Sequence, residues 1–247
     1  MFMYHKPINN SMHLNFKQIW LTFLFLIFFT VFSILTYNGF FTQVDFDTTV
    51  KIQERIDTSS HLRTAYIAGE IMEGSVFLAS PGLSVVIIII ITALTVINLK
   101  QKKIHFSGLM IPVLFSFLVF AELYGKSVVH HPPPPFFMLK NPITVFPRYF
   151  VFEEFSYPSG HAARAVFISI ILISITMNQC HNLTIKKKCT SFVSLISLFY
   201  MSIVSLSLIY LGHHWASDVI GGVILGFTCA VPVWIIFSRQ RYLTEVK

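Results

Sequence analysis

Three short polar stretches interrupt an otherwise apolar chain, and each carries side chains able to do chemistry. Tyr157-Pro158-Ser159-Gly160-His161, with Arg164 three residues on, opens one apolar run. Gly212-His213-His214-Trp215-Ala216-Ser217-Asp218 joins two others. Lys126, His130-His131 and four consecutive prolines, 132–135, close a third. Ionisable groups beside a membrane are costly, so clusters of this kind are functional candidates by default.

Ser159 is a good N-cap, and Gly160 lets the backbone turn and come close to a ligand. The first amides of a helix starting here point outward without partners, and with the positive end of the dipole they make an anion site. His161 falls in the first turn and shares a face with Arg164. The stretch therefore reads as an oxyanion holder beside an acid–base group, or equally as a capped helix with an interfacial His and a snorkelling Arg. His214 and Asp218 are spaced i, i+4. A helix starting near His214 lets the carboxylate accept from one ring nitrogen, leaving the other as nucleophile or base. His213 points about 100° away and is the weaker candidate; a structural His–Asp hydrogen bond or a proton relay is the alternative. Lys126 is a cation at the outer end of a helix, or a mere interfacial anchor. The prolines remove backbone donors and favour a stiff, extended segment. His130 and His131 point apart as neighbours, and no cysteine or carboxylate cluster completes a metal site with them.

These stretches need elements to hold them. The chain has 247 residues, 54% hydrophobic and 12% charged, with mean hydropathy +0.69. Soluble domains carry about 25% charged residues, so a water-facing surface cannot be covered and a polytopic membrane protein is expected. A membrane helix needs about 20 apolar residues; candidates run over 17–37, 82–99, 106–125, 161–178, 191–211 and 219–237. Pro112 and Pro232, inside the third and sixth, should kink them. The first run has no small-residue cleavage site after it and reads as a retained helix. The expected architecture is an all-α bundle of six spans forming one domain over 1–247. An outer loop, 38–81, carries amphipathic helices over 48–79, either a lid or guide for lipid access or simply packing. Gly221-Gly222 reads as a close-packing device.

The net charge of +7 lies mostly in short loops: Lys6, Lys17, Lys100, Lys102, Lys103, Lys186, Lys187, Lys188 and, at the end, Arg239, Arg241 and Lys247. The positive-inside rule puts these loops and both termini in the cytoplasm, and the three polar stretches on the other face. Nothing marks the lysines as a nucleic-acid site. His5, His13, His61, His105 and His181 carry no assigned role. Cys180, Cys189 and Cys229 are too few for a disulfide framework.

Taken together, the stretches resemble the membrane-bound type 2 phosphatidic acid phosphatases, whose fold is shared with vanadium haloperoxidases. That family carries K-x6-R-P, P-S-G-H and S-R-x5-H-x3-D. Here Pro158-Ser159-Gly160-His161 is intact; the third motif matches at Ser207, His214 and Asp218, and the first at Lys126 and Pro134. The motif-bearing part spans about 126–226. Two family arginines fall on Pro133 and Leu208. Arg164 is the favoured stand-in, with His131 or Arg148 supplying the second; histidine lacks the bidentate fork.

The resemblance implies hydrolysis of a phosphate monoester or diphosphate of a lipid, without metal or other cofactor. It assigns His214 as nucleophile, Asp218 as its orienting partner and His161 as acid and then base. Lys126, Ser159, Gly160 and Arg164 would hold the phosphate oxygens. In a bacterium the substrate classes are undecaprenyl diphosphate, phosphatidic acid and phosphatidylglycerol phosphate. A lipid phosphotransferase using the same intermediate and a non-catalytic lipid-phosphate binder or transporter are the alternatives.

Overall fold

A computed structural model describes residues 16–59, 62–98, 103–104, 106–140, 154–179 and 183–245. Arg148 lies outside them, as do Lys6, Lys100, Lys102, Lys247, Cys180 and the five unassigned histidines. Eight α-helices follow one another among the described residues: α1 Phe16–Tyr37, α2 Thr42–Ser59, α3 Leu62–Leu78, α4 Pro81–Val96, α5 Met110–Val129, α6 Gly160–Gln179, α7 Leu183–Tyr210 and α8 Ala216–Glu245. A two-residue antiparallel ladder, β1 Ile97–Asn98 with β2 Lys103–Ile104, flanks one lysine loop. The chain is an all-α membrane bundle.

Five of the expected spans are helices long and apolar enough to cross a membrane. The expected span 82–99 needs correction. Its helix, α4, has 16 residues, about 24 Å at the α-helical rise, short of a typical hydrocarbon core. A sixth span arises only if α4 is joined to the 66–78 part of α3, from which it bends by 55°. Pro81 explains the break: it is good at a helix start but cannot continue the preceding one. The outer loop is helical as expected, but α2 begins at Thr42, earlier than the amphipathic pattern suggested. Pro112 is the third residue of α5, which follows directly on a 3-10 turn, Phe106–Leu109. Pro232 lies inside α8, which continues as one element to Glu245.

Helices α6 and α8 form the centre; 61% and 67% of their apolar windows are buried, against 6% for α1. Small residues make this possible. A Cβ on Gly222 would stand 2.2 Å from the Ser159 carbonyl oxygen, and one on Gly226 would stand 2.7 Å from that of Ala163. The facing α6 residues, Ala162 and Ala163, are themselves small and buried. Close approach of backbones is the usual route to helix association in lipid. Gly221 meets the Tyr157 ring in the same way. Tyr157 stacks with Phe29 and Phe32 of α1 and its hydroxyl pairs with that of Ser33 at 2.9 Å. The peripheral faces are apolar and exposed, for example Phe23, Ile27, Phe117, Phe120, Leu195 and Phe199, as lipid contact requires.

Candidate active site

The three polar stretches meet at one end of the bundle through backbone hydrogen bonds. Ser159 N–H donates to Asp218 O at 3.0 Å, Ser156 N–H to His131 O at 2.8 Å, and Lys140 N–H to Leu211 O at 3.0 Å. Trp215 Nε1–H adds a bond to Pro132 O at 2.9 Å. The proline segment is therefore a strut between the end of α5 and the α7–α8 turn. Its missing N–H groups leave carbonyls that neighbouring donors use.

The helix α6 begins at Gly160, one residue after Ser159, as the sequence led us to expect. The Ser159 hydroxyl accepts from Ala162 N–H at a marginal 3.5 Å, so the hydroxyl is only loosely held as a cap. Gly160 is not among the positive-φ glycines; turning the chain is not its reason for being glycine. A Cβ there would lie 1.8 Å from a carboxylate oxygen of Glu122. A side chain of α5, the Glu122 carboxylate, occupies the space a Cβ at the first residue of α6 would take.

His214 departs from expectation. α8 starts at Ala216, so His214 belongs to the turn before it. That turn is closed by His213 N–H and His214 N–H donating to Leu208 O. It passes through Gly212 at φ +71°, where a Cβ would also strike Met138 O at 2.3 Å. Asp218 sits three residues into α8 and reaches back, its Oδ2 accepting from Trp215 N–H at 2.9 Å. This is half of a capping box. The same oxygen is 3.7 Å from His214 Nδ1, an ion-pair separation longer than a hydrogen bond. His214 Nδ1 is buried without a hydrogen-bond partner, and the Asp218 carboxylate is its neighbouring acceptor.

The short imidazole contact of Asp218 is with His131 instead: Nδ1 to Oδ1, 2.8 Å. His131, expected among the phosphate ligands, is thus turned to the Asp218 carboxylate. Its other nitrogen lies 4.0 Å from Asp45 Oδ2. Burial alone would lower the His131 pKa, but the hydrogen bond and charge of Asp218, aided by Asp45, raise it above the ordinary histidine value. Asp45 comes from α2 and accepts from Ser217 N–H at 2.8 Å and Ser217 Oγ–H at 2.7 Å. It therefore caps α8 from a different helix. Burial pushes its carboxyl up, while the bonds from Ser217 pull it down. His213 is pulled down to about 4 by burial and by neighbouring His214.

His161 and His214, far apart in sequence, face each other with ring centroids 6.4 Å apart. Arg164, on the His161 side, is 3% exposed. Its Nη1 donates to Glu122 Oε2 at 2.7 Å and its Nε to Ala79 O at 3.0 Å. Lys126 Nζ lies 3.6 Å from Glu122 Oε1. Cations, imidazoles and a helix N-terminus thus surround one small buried region. Ser207, from the third motif, donates to Ile203 O within α7 and its hydroxyl pairs with that of Ser75 at 3.0 Å. Leu208, at the position of the second missing arginine, is fully buried in an apolar cluster.

Sequence reasoning missed Glu122 and Asp45. Glu122 had a readable signal: it is a carboxylate inside an apolar span, four residues before Lys126. Asp45 had none, because its partners are remote in the chain. Among the described residues no group of three His, Cys, Asp or Glu side chains is arranged to hold a metal ion.

No curated protein sequence matches the chain. A solved structure, the transmembrane PAP2 type phosphatidylglycerolphosphate phosphatase from Bacillus subtilis, superposes with a TM-score of 0.64 at 20% sequence identity, covering 92% of this chain and 97% of that one. At that identity the likeness concerns the fold. The sequence pattern of the PAP2 superfamily matches residues 82–242, reaching beyond the motif-bearing 126–226 on both sides. A match over most of the chain shows what the motifs and helices suggested: the chain belongs to the PAP2 superfamily.

Proposed function

We propose that this membrane phosphatase hydrolyses a phosphate monoester or diphosphate of a lipid through a phosphohistidine on His214. The observation that carries the reading is the 6.4 Å approach of the His161 and His214 rings. An in-line transfer needs a nucleophile and an acid near one phosphorus, on opposite sides of it. His214 Nδ1 faces Asp218, so Nε2 is the attacking atom. Asp218 favours the tautomer with Nδ1–H and stabilises the charge that develops on the ring. His161 protonates the leaving oxygen, then takes a proton from the water that attacks the phosphohistidine.

Lys126, Arg164, the Ser159 hydroxyl and the Gly160 amide are the proposed phosphate ligands, with Arg148 a further candidate. Charge on the equatorial oxygens is what they would stabilise. His131 acts from behind, holding Asp218. A site at helix ends lets a lipid head group reach the cluster while its chains stay in hydrocarbon. The basic loops favour cytoplasmic termini and an extracytoplasmic site. Undecaprenyl diphosphate, phosphatidic acid and phosphatidylglycerol phosphate are the substrate classes to test first.

The experiment is a panel of these lipids with purified protein, wild type against His214→Ala. Release of inorganic phosphate by the wild type and its loss in the variant is the expected result. Transfer of the phosphoryl group to an added acceptor, or tight lipid binding without turnover, would replace this reading with transferase or binder.

A further inference from the structure

The phosphate region already contains an anion. The Glu122 side chain is only 8% exposed, and each of its oxygens is engaged. Oε2 accepts from Arg164 at 2.7 Å and Oε1 lies 3.6 Å from Lys126. Both pack on the first residue of α6: a Cβ on Gly160 would stand 1.8 Å from one and 2.3 Å from the other. The groups expected to grip phosphate oxygens are therefore gathered on a carboxylate. We infer that Glu122 is a specificity-determining residue, a resident anion that competes with the substrate phosphoryl group for Lys126 and Arg164 and disfavours its dianion.

The physical basis is charge balance at low dielectric. Two cations and one carboxylate leave a single positive charge in this triad. A phosphoryl monoanion balances it. A dianion overfills it and places like charges side by side where screening by water is weak. Either the carboxylate withdraws from the cations or the dianion binds poorly. An uncharged side chain at position 122 removes the competition. The contrary role, Glu122 merely orienting the two cations, has the opposite sign: without the carboxylate the cations would be less ordered and phosphate would bind no tighter.

The inference rests on the proposed phosphatase reading only for the identity of the anion, so its test avoids turnover. The full-length protein in detergent is titrated calorimetrically at pH 8 with inorganic phosphate, mostly dianion there, and with dimethyl phosphate, a monoanion. Glu122→Gln should bind inorganic phosphate at least about tenfold more tightly than wild type. Dimethyl phosphate should improve by less. Equal or weaker phosphate binding, equal gains for both anions, or no binding by either protein would overturn the inference. Should Glu122→Gln not fold with the Arg164 charge unneutralised, Glu122→Asp serves. It keeps the charge but withdraws it from Gly160 by one methylene, so phosphate must bind tighter than to wild type, and unchanged or weaker binding rejects the idea. A wild type that hydrolyses no lipid phosphate would sink the phosphatase reading while leaving this comparison intact.

Discussion

At the scale of single residues, Arg164 and His131 show how one side chain serves two partners. Arg164 is proposed to replace a family arginine, yet it is paired with Glu122 and the Ala79 carbonyl. Removing it leaves a buried carboxylate facing Lys126 alone, a change that costs about 3–5 kcal/mol for buried pairs. Arg164→Lys is therefore the sharper probe, since it keeps the charge and removes the fork. We expect turnover to fall on the order of 10²-fold or more in Arg164→Ala and roughly tenfold in Arg164→Lys. Wild-type turnover in both would remove Arg164 from phosphate binding. His131 makes a pH prediction. Its pKa is raised in the folded state, so its contribution to stability is complete below the ordinary value of about 6.5. It is lost as pH rises through the elevated folded value. His131→Asn should lower the melting temperature by a few degrees at pH 6 and by clearly less at pH 9. A deficit that does not change with pH would show that the imidazolium–Asp218 bond is not its origin.

At the scale of elements, the notable part is α2. The sequence left 38–81 as a lid or as packing. The structure makes α2 part of the frame of the site, because Asp45 binds both donors of Ser217 at the start of α8 and approaches His131. Gln53, two turns further on, donates to Met138 O and Tyr210 O, tying α2 to the proline strut and the end of α7. A helix tied at one point to the start of α8 and at another to Met138 and the end of α7 is not a free-swinging lid. Asp45→Ala should cost roughly 1–3 kcal/mol of stability and lower turnover by letting the α8 N-terminus shift. Asp45→Asn, which still offers an acceptor oxygen, should recover most of both. Thermal unfolding and kcat measured on the two variants decide it: an Asp45→Ala protein as stable and active as wild type would make α2 mere packing.

At the scale of the whole molecule, the site lies where helix ends converge, and the bundle outside it presents apolar side chains to lipid. Charge stabilisation is assigned here to protein cations, amides and imidazoles. Turnover should therefore survive saturating chelator and be inhibited by vanadate, which mimics a five-coordinate phosphorus. Complete loss of activity in EDTA with recovery on adding Mg²⁺ would contradict this mechanism.

Much was legible in the sequence because it depends on local order. Apolar runs of membrane length and the basic loops between them follow from composition and spacing, and the residues 158–161, 214 and 218 stood out through their resemblance to the family motifs. The helix start at Gly160 followed from the capping chemistry of Ser159. What the sequence could not supply was contact between distant segments. That His131 rather than His214 makes the short bond to Asp218, that the Glu122 carboxylate occupies the space beside Gly160, and that Asp45 caps α8 all depend on which helices pack together. Spacing along a helix fixes which side chains share a face; it says nothing about which foreign side chain fills the gap opposite. In this chain the α6–α8 contact of small residues closes that gap, and the roles of the polar side chains are set by how closely the backbones approach.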